Sequence, residues 1–255
     1  MRAILTWHSL DDSGSPISVA PSHFRRQLDW IADAGLRVVP VTELLALPDE
    51  AQAVALTFDD GISNFATEAA PALRERLWPV SLFVVTDRVG TDNRWQGQSP
   101  GIPTLPLLDW DALAVLARGG VAMENHTRTH PHLDGISDDA VATEIDGAAD
   151  ALRTHLARAP EGIAYPYGAC GPATHAAARR RHRWGLTTEF RALSAGDDPL
   201  ALPRLDAWYF TRRAHFSSWG QARFRAWTWA RRSARAARGA VMTAARAAIA
   251  ARGVA

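Results

Sequence analysis

The sequence predicts an α/β fold with helices packed around a parallel sheet, and three observations point to it. Short apolar runs alternate with helical patterns along most of the chain, the rhythm of βα units. A length of 255 residues at 47% hydrophobic content buries one substantial core and falls in the size range of a single α/β barrel. No segment approaches the roughly 20 apolar residues needed to cross a bilayer, so the apolar runs read as core strands.

In chain order, the predicted elements begin with a strand at residues 3–7, a helix over 22–34, a strand at 37–39, a helix over 42–47 and a strand at 53–58. They continue with a helix at 71–76, a strand at 80–85, a helix over 109–118, a strand at 121–124 and a long helix over 138–158. A strand at 162–165 and a helix over 172–181 follow. Residues 86–108 break the pattern: they are rich in Gly, Pro, Asn and Gln, and long loops in compact domains are often functional.

Charge divides the chain. All 27 acidic residues lie at or before Asp206, whereas 10 of the 28 basic residues follow it, so the net charge is −9 through Asp206 and +10 beyond. From Trp208 onward Ala, Arg and Trp dominate, and residues 222–251 read as one or two helices interrupted at Gly239. The expected organisation is a catalytic domain over 1–210 and a helical C-terminal extension over 211–255. The lone Cys170 excludes an internal disulfide framework and any multi-cysteine metal site, so a metal would have to be held by His and carboxylate.

Two segments carry chemistry. Asp59 and Asp60 stand where an apolar strand runs into Gly61, the end of a parallel strand at which α/β sites are built; an ordinary Asp-Gly turn is the plain alternative. His126 and His130 follow the strand at 121–124, and at a spacing of four they converge on one ion if the segment forms a helical turn.

Thr57-Phe58-Asp59-Asp60-Gly61, His126-Thr127-Arg128-Thr129-His130-Pro131 and Tyr165-Pro166-Tyr167-Gly168 resemble, in order, the first three motifs of the polysaccharide deacetylases, the NodB homology domain of carbohydrate esterase family 4. The resemblance implies a distorted (β/α)7-type barrel and metal-dependent removal of acetyl from an N-acetylated sugar. It further implies a divalent metal, zinc first, on Asp60, His126 and His130, with Asp59 as general base and the Tyr167 backbone N–H as oxyanion donor.

The chain departs from the family in two places. Ala164 stands where the third motif usually has Arg, and Arg204 is the expected substitute that orients Asp59. The usual late His motif is absent, since His215 alone follows Arg204, in a poorly matching context. Exopolysaccharide deacetylases with a His after the first strand offer the alternative, and Trp7-His8-Ser9 resembles that pattern, making His8 the expected general acid.

The expected partner is an N-acetylated glycan, for which the loop bearing Asn93, Arg94, Trp95 and Gln96 offers an aromatic face and polar groups; a structural lid with Trp95 buried is the equal alternative. The basic tail suits an anionic membrane surface or glycan-assembly proteins, or packs on the barrel; no nucleic-acid motif accompanies it. The expected location is the cytoplasm, including the inner face of the membrane. Rival readings are another metal amidohydrolase, acting on a small amide or a peptidoglycan sugar, and a non-catalytic carbohydrate-binding protein.

Overall fold

The computed structural model describes residues 1–235 and 237. Strands β1 (Arg2–Trp7) and β3 (Ala53–Phe58) are mostly apolar and buried along their whole length, as strands covered on both faces are. Around them lie β2 (Arg37–Val38), β4 (Ser81–Val84), β5 (Ala122–Asn125), β6 (Gly162–Ala164), β7 (Trp184–Leu186) and β8 (Leu205–Asp206). All pairings are parallel, in the order β7-β6-β5-β4-β3-β1-β8, with β2 beside β3.

The sheet curls into a half-barrel. Just ahead of β8, Leu202 bridges back to Leu186 at the end of β7, so one short segment touches both β7 and β1. The first and last strands are therefore neighbours, with Leu5 paired to Leu205 and Thr6 to Asp206.

Helices α1 (Pro21–Asp33), α2 (Val41–Ala46), α3 (Ala70–Glu75), α4 (Trp110–Arg118), α5 (Asp138–Leu156) and α6 (Pro172–Arg181) flank the sheet. Their starts follow local chemistry: Asp109 accepts from the Ala112 N–H and Ser137 from the Ala140 N–H, capping α4 and α5. A π-helical turn at Phe65–Ala69 leads into α3, placing buried Phe65 against Phe58 at 4.9 Å between ring centroids.

Residues 209–235 are not peripheral. Helix α7 (Arg213–Ser217) and a helix α8 over 222–235 pack Phe216, Trp219 and Phe224, at 1%, 7% and 1% exposure, into one aromatic cluster with Phe210 and Trp227. The expected domain boundary at 210/211 runs through this cluster. The break expected at Gly239 lies outside the described residues. Among the described residues, no helix is long and apolar enough to cross a membrane.

Candidate active site

Register sets the first part of the site. Trp7 pairs with Phe58, so the next residues, His8 and Asp59, emerge side by side at the C-terminal ends of β1 and β3, and the Asp59 N–H donates to the Trp7 carbonyl at 2.9 Å. His8 Nε2 lies 3.6 Å from Asp59 Oδ2. The other oxygen, Oδ1, accepts from an Arg204 guanidinium nitrogen at 2.7 Å, and both side chains are almost fully buried.

Arg204 is itself held in place: the same nitrogen donates to Thr6 Oγ1 at 3.1 Å, and Nε donates to the Thr187 carbonyl at 2.9 Å. Burial alone would raise the Asp59 carboxyl, but the charge and hydrogen bond of Arg204 hold it well below the usual carboxylate range. It is an ionised carboxylate at neutral pH.

Asp60 turns the opposite way. With φ at +73°, it steps off the strand in the left-handed region and aims Oδ1 at His126 Nε2 (3.4 Å) and His130 Nε2 (3.6 Å). The segment carrying both histidines is a bent loop rather than the helical turn its spacing suggested, with Thr127 at φ +65° and His130 at φ +62°. Strain of this kind costs about 1–3 kcal/mol per residue and persists only where the surroundings enforce it.

Here the enforcement is visible. Asn125 Oδ1 accepts from the Thr127 N–H at 2.8 Å, and Thr127 Oγ1 accepts from the His130 N–H at 3.1 Å. His126 Nδ1 sits 2.7 Å from the Ala164 carbonyl, which fixes the proton on Nδ1 and leaves Nε2 as a lone pair facing Asp60. Burial pushes His130 down to about 3, so its ring is neutral.

The donor atoms of Asp60, His126 and His130 lie within 4.8 Å of one another, and Asp60 Oδ1 is buried with no hydrogen-bond partner. An orphaned carboxylate oxygen facing two imidazole nitrogens is costly without a cation, and this donor set suits a first-row divalent ion. The residues present therefore fit a metal.

These groups line a 310 Å³ cleft with Tyr167, Trp95, Asp206 and Arg235. Tyr167, at φ +58°, precedes Gly168, where a Cβ would come within 2.3 Å of Thr188 Oγ1; the tight Pro-Tyr-Gly turn needs that glycine. Trp95 lies against His130 at 4.2 Å between ring centroids, with the rings tilted by 31°. Of its loop neighbours, Asn93 is fully buried and clips the loop through Pro103 and Leu105, while exposed Arg94 is held by Asp92.

Sequence reasoning missed Asp206 and Arg235. Asp206 lies two residues after Arg204, in β8, a proximity that was readable; burial pushes its carboxyl up. Arg235 comes from α8, its guanidinium 3.9 Å from Asp206 Oδ2, and nothing local in the sequence marks it. His215 stacks on Trp227 at 4.2 Å and does not line the cleft.

A family described as polysaccharide deacetylase matches residues 46–186, more than half of the chain. The chain belongs to the polysaccharide deacetylase family. Among relatives of this deacetylase, YxkH of Bacillus subtilis, named for the same family, is 24% identical over 209 residues, covering 79% of this chain and 70% of that one. The poly-β-1,6-N-acetyl-D-glucosamine N-deacetylase of Escherichia coli is 31% identical over 83 residues, 29% of this chain and 12% of that one.

Two solved structures resemble the deacetylase over most of its length. The Streptococcus pyogenes deacetylase PplD in complex with acetate aligns at TM-score 0.68 and 26% identity, covering 80% of this chain and 91% of that one. IcaB from Ammonifex degensii aligns at TM-score 0.71 over 85% of this chain and 97% of that one; at 22% identity it speaks to the fold, the (β/α)7-type barrel.

Proposed function

We propose that this deacetylase hydrolyses the acetamide of an N-acetylated sugar and needs a divalent metal, zinc first, held by Asp60, His126 and His130. One observation carries the reading: two adjacent carboxylates face different partners, Asp59 the Arg204–His8 pair and Asp60 the two histidines. Simple sugar binding would not call for that division. When bound, the metal would polarise the acetamide carbonyl and lower the pKa of water from about 15.7 towards 7.

The remaining steps belong to groups of the protein itself. Asp59, ionised and oriented by Arg204, accepts the proton of the attacking water. The Tyr167 backbone N–H stands on the strained turn at the cleft wall and serves as a donor to the oxygen that gains charge. His8, about a quarter exposed and on the far oxygen of Asp59, donates a proton to the nitrogen so that it departs as an amine.

The named activity of the E. coli relative and the acetate bound to the S. pyogenes deacetylase support an acetylated sugar as substrate. The test is acetate release from N-acetylated amino sugars before chelation, after chelation and after zinc is restored. Activity lost with the metal and regained with zinc is expected; metal-independent release, or none from any acetylated sugar, overturns the proposal.

A further inference from the structure

Between His126 and His130 the chain keeps a shape it would not hold unaided. Thr127 and His130 both have positive φ, and for β-branched Thr127 that is an outlier. Four successive backbone N–H groups of this loop find no partner in a helix or strand, and each is taken by a side-chain oxygen. The Thr127 N–H donates to Asn125 Oδ1 at 2.8 Å, the Arg128 and Thr129 N–H groups both donate to Glu144 Oε2 at 2.9 Å, and the His130 N–H donates to Thr127 Oγ1 at 3.1 Å. Thr129 Oγ1 adds a third bond to Glu144, reaching Oε1 at 2.8 Å.

Two of these anchors depend on elements outside the cleft. Glu144 stands on α5. Asn125, at the end of β5, has its Oδ1 fixed as an acceptor by the Thr127 N–H, so its Nδ2 must donate: to the Ile145 carbonyl of α5 at 2.9 Å and to His182 Nε2 at 3.0 Å. The second bond needs a lone pair on His182 Nε2, hence a neutral ring with its proton on Nδ1. His182 is buried at the end of α6, and neither it nor Glu144 lines the cleft.

From these bonds we infer that Glu144 and His182 are positioning residues for the metal: they touch no metal ligand and set zinc affinity by holding the His126–His130 loop in its coordinating shape. The inference rests on the metal reading above and goes beyond it, since it places control of affinity on α5 and the end of α6. Bonds to an ionised carboxylate are stronger than neutral ones, and Glu144 accepts three from a single turn. Without them Thr127 and His130 are free to relax towards ordinary φ, which spreads the donor atoms now gathered within 4.8 Å of one another. On the opposite edge the Thr127 and Arg128 carbonyls accept from the Thr86 and Asp87 N–H groups at 3.1 and 2.9 Å, so the loop stays attached when Glu144 is removed.

The test measures the zinc Kd of the full chain by competition with a chromophoric chelator, alongside the thermal midpoint of each zinc-free protein. Glu144→Ala and His182→Leu should each raise Kd at least about tenfold, as loss of an outer partner of a metal site does. Glu144→Gln should recover most of the affinity, because its amide oxygen can still accept both backbone N–H groups. Asp150→Ala, which removes ion pairs of α5 with Arg153 and Arg181 and leaves the loop untouched, should shift the midpoint without moving Kd. If Glu144→Ala does not fold, Thr129→Ala takes its place: it removes one of the three bonds from an exposed position and should raise Kd in the same direction.

An unchanged Kd in either His182→Leu or the Glu144 arm overturns the proposal, as does a Glu144→Gln protein no better than Glu144→Ala, or a Kd that follows the midpoint in Asp150→Ala. A parent protein that binds no zinc rejects the metal reading itself, so that failure is distinct from a parent that binds zinc with variants that match it.

Discussion

Arg204 donates to one oxygen of Asp59 at 2.7 Å, although 145 positions separate them in the chain. The family's third motif usually supplies this arginine from the position of Ala164, whereas here it arrives immediately before β8. Removing one partner of a buried ion pair costs about 3–5 kcal/mol, so Arg204→Ala should fold poorly. Arg204→Lys keeps the charge and should stay folded while kcat falls by roughly 10²-fold. Weakening the arginine contact lets the Asp59 pKa rise, so the acidic limb of the pH–rate profile should move to higher pH. An unchanged profile would show that Arg204 does not orient Asp59.

The aromatic cluster formed by α7 and α8 makes a second prediction. Phe224 is 1% exposed against Phe210 and Trp219, and a buried Phe→Ala change costs about 3–5 kcal/mol. Phe224→Ala should lower the thermal midpoint by roughly 10 °C, and deleting 222–255 should lower it further, measured by calorimetry. A truncated protein of full stability would restore the tail as a separate appendage.

How far the sequence reveals this site depends on distance along the chain. Asp59, Asp60, His126 and His130 are local motifs at strand ends, readable from the alternation of apolar runs and polar turns. The parallel sheet was readable for the same reason, since β1 and β3 are mostly apolar strands. The shape of the His126–His130 loop was not, because Asn125 and Thr127 override the helical turn that the spacing alone suggests. The packing of α8 was left open between a membrane surface and the barrel, because Ala and Arg dominate its composition; Phe224 and Trp227 fix its place in the core. Arg235 reaches the cleft only as a consequence.

His182 supplies a pH prediction away from the cleft. It is buried, accepts from Asn125 Nδ2 at 3.0 Å, and burial pushes it down to about 4 from an ordinary 6.5. The folded ring therefore binds a proton less readily than the unfolded one. Its stabilising contribution is complete above about 6.5 and declines as pH falls towards 4, by about 2 kcal/mol at pH 5. His182→Gln should flatten the fall in thermal midpoint between pH 7 and 5 relative to the parent protein; parallel curves would refute the assignment.

The two candidate acids are separated by position. His8 faces Asp59, whereas His215 lies against Trp227 outside the cleft lining. His8→Ala should keep the fold and bound metal and reduce kcat by about 10²–10⁴-fold. His215→Ala should leave kcat nearly unchanged. The reverse pattern would place the acid in the C-terminal segment.

The adjacent carboxylates offer the most direct measurement of all: bound zinc per chain and acetate release, determined on the same preparations of parent, Asp59→Asn and Asp60→Asn proteins. The parent should hold about one zinc per chain and release acetate. Asp59→Asn should hold its zinc and lose most turnover, while Asp60→Asn should lose zinc and activity together. Equal loss of zinc in both variants, or full turnover in Asp59→Asn, would contradict the division of labour between the two residues.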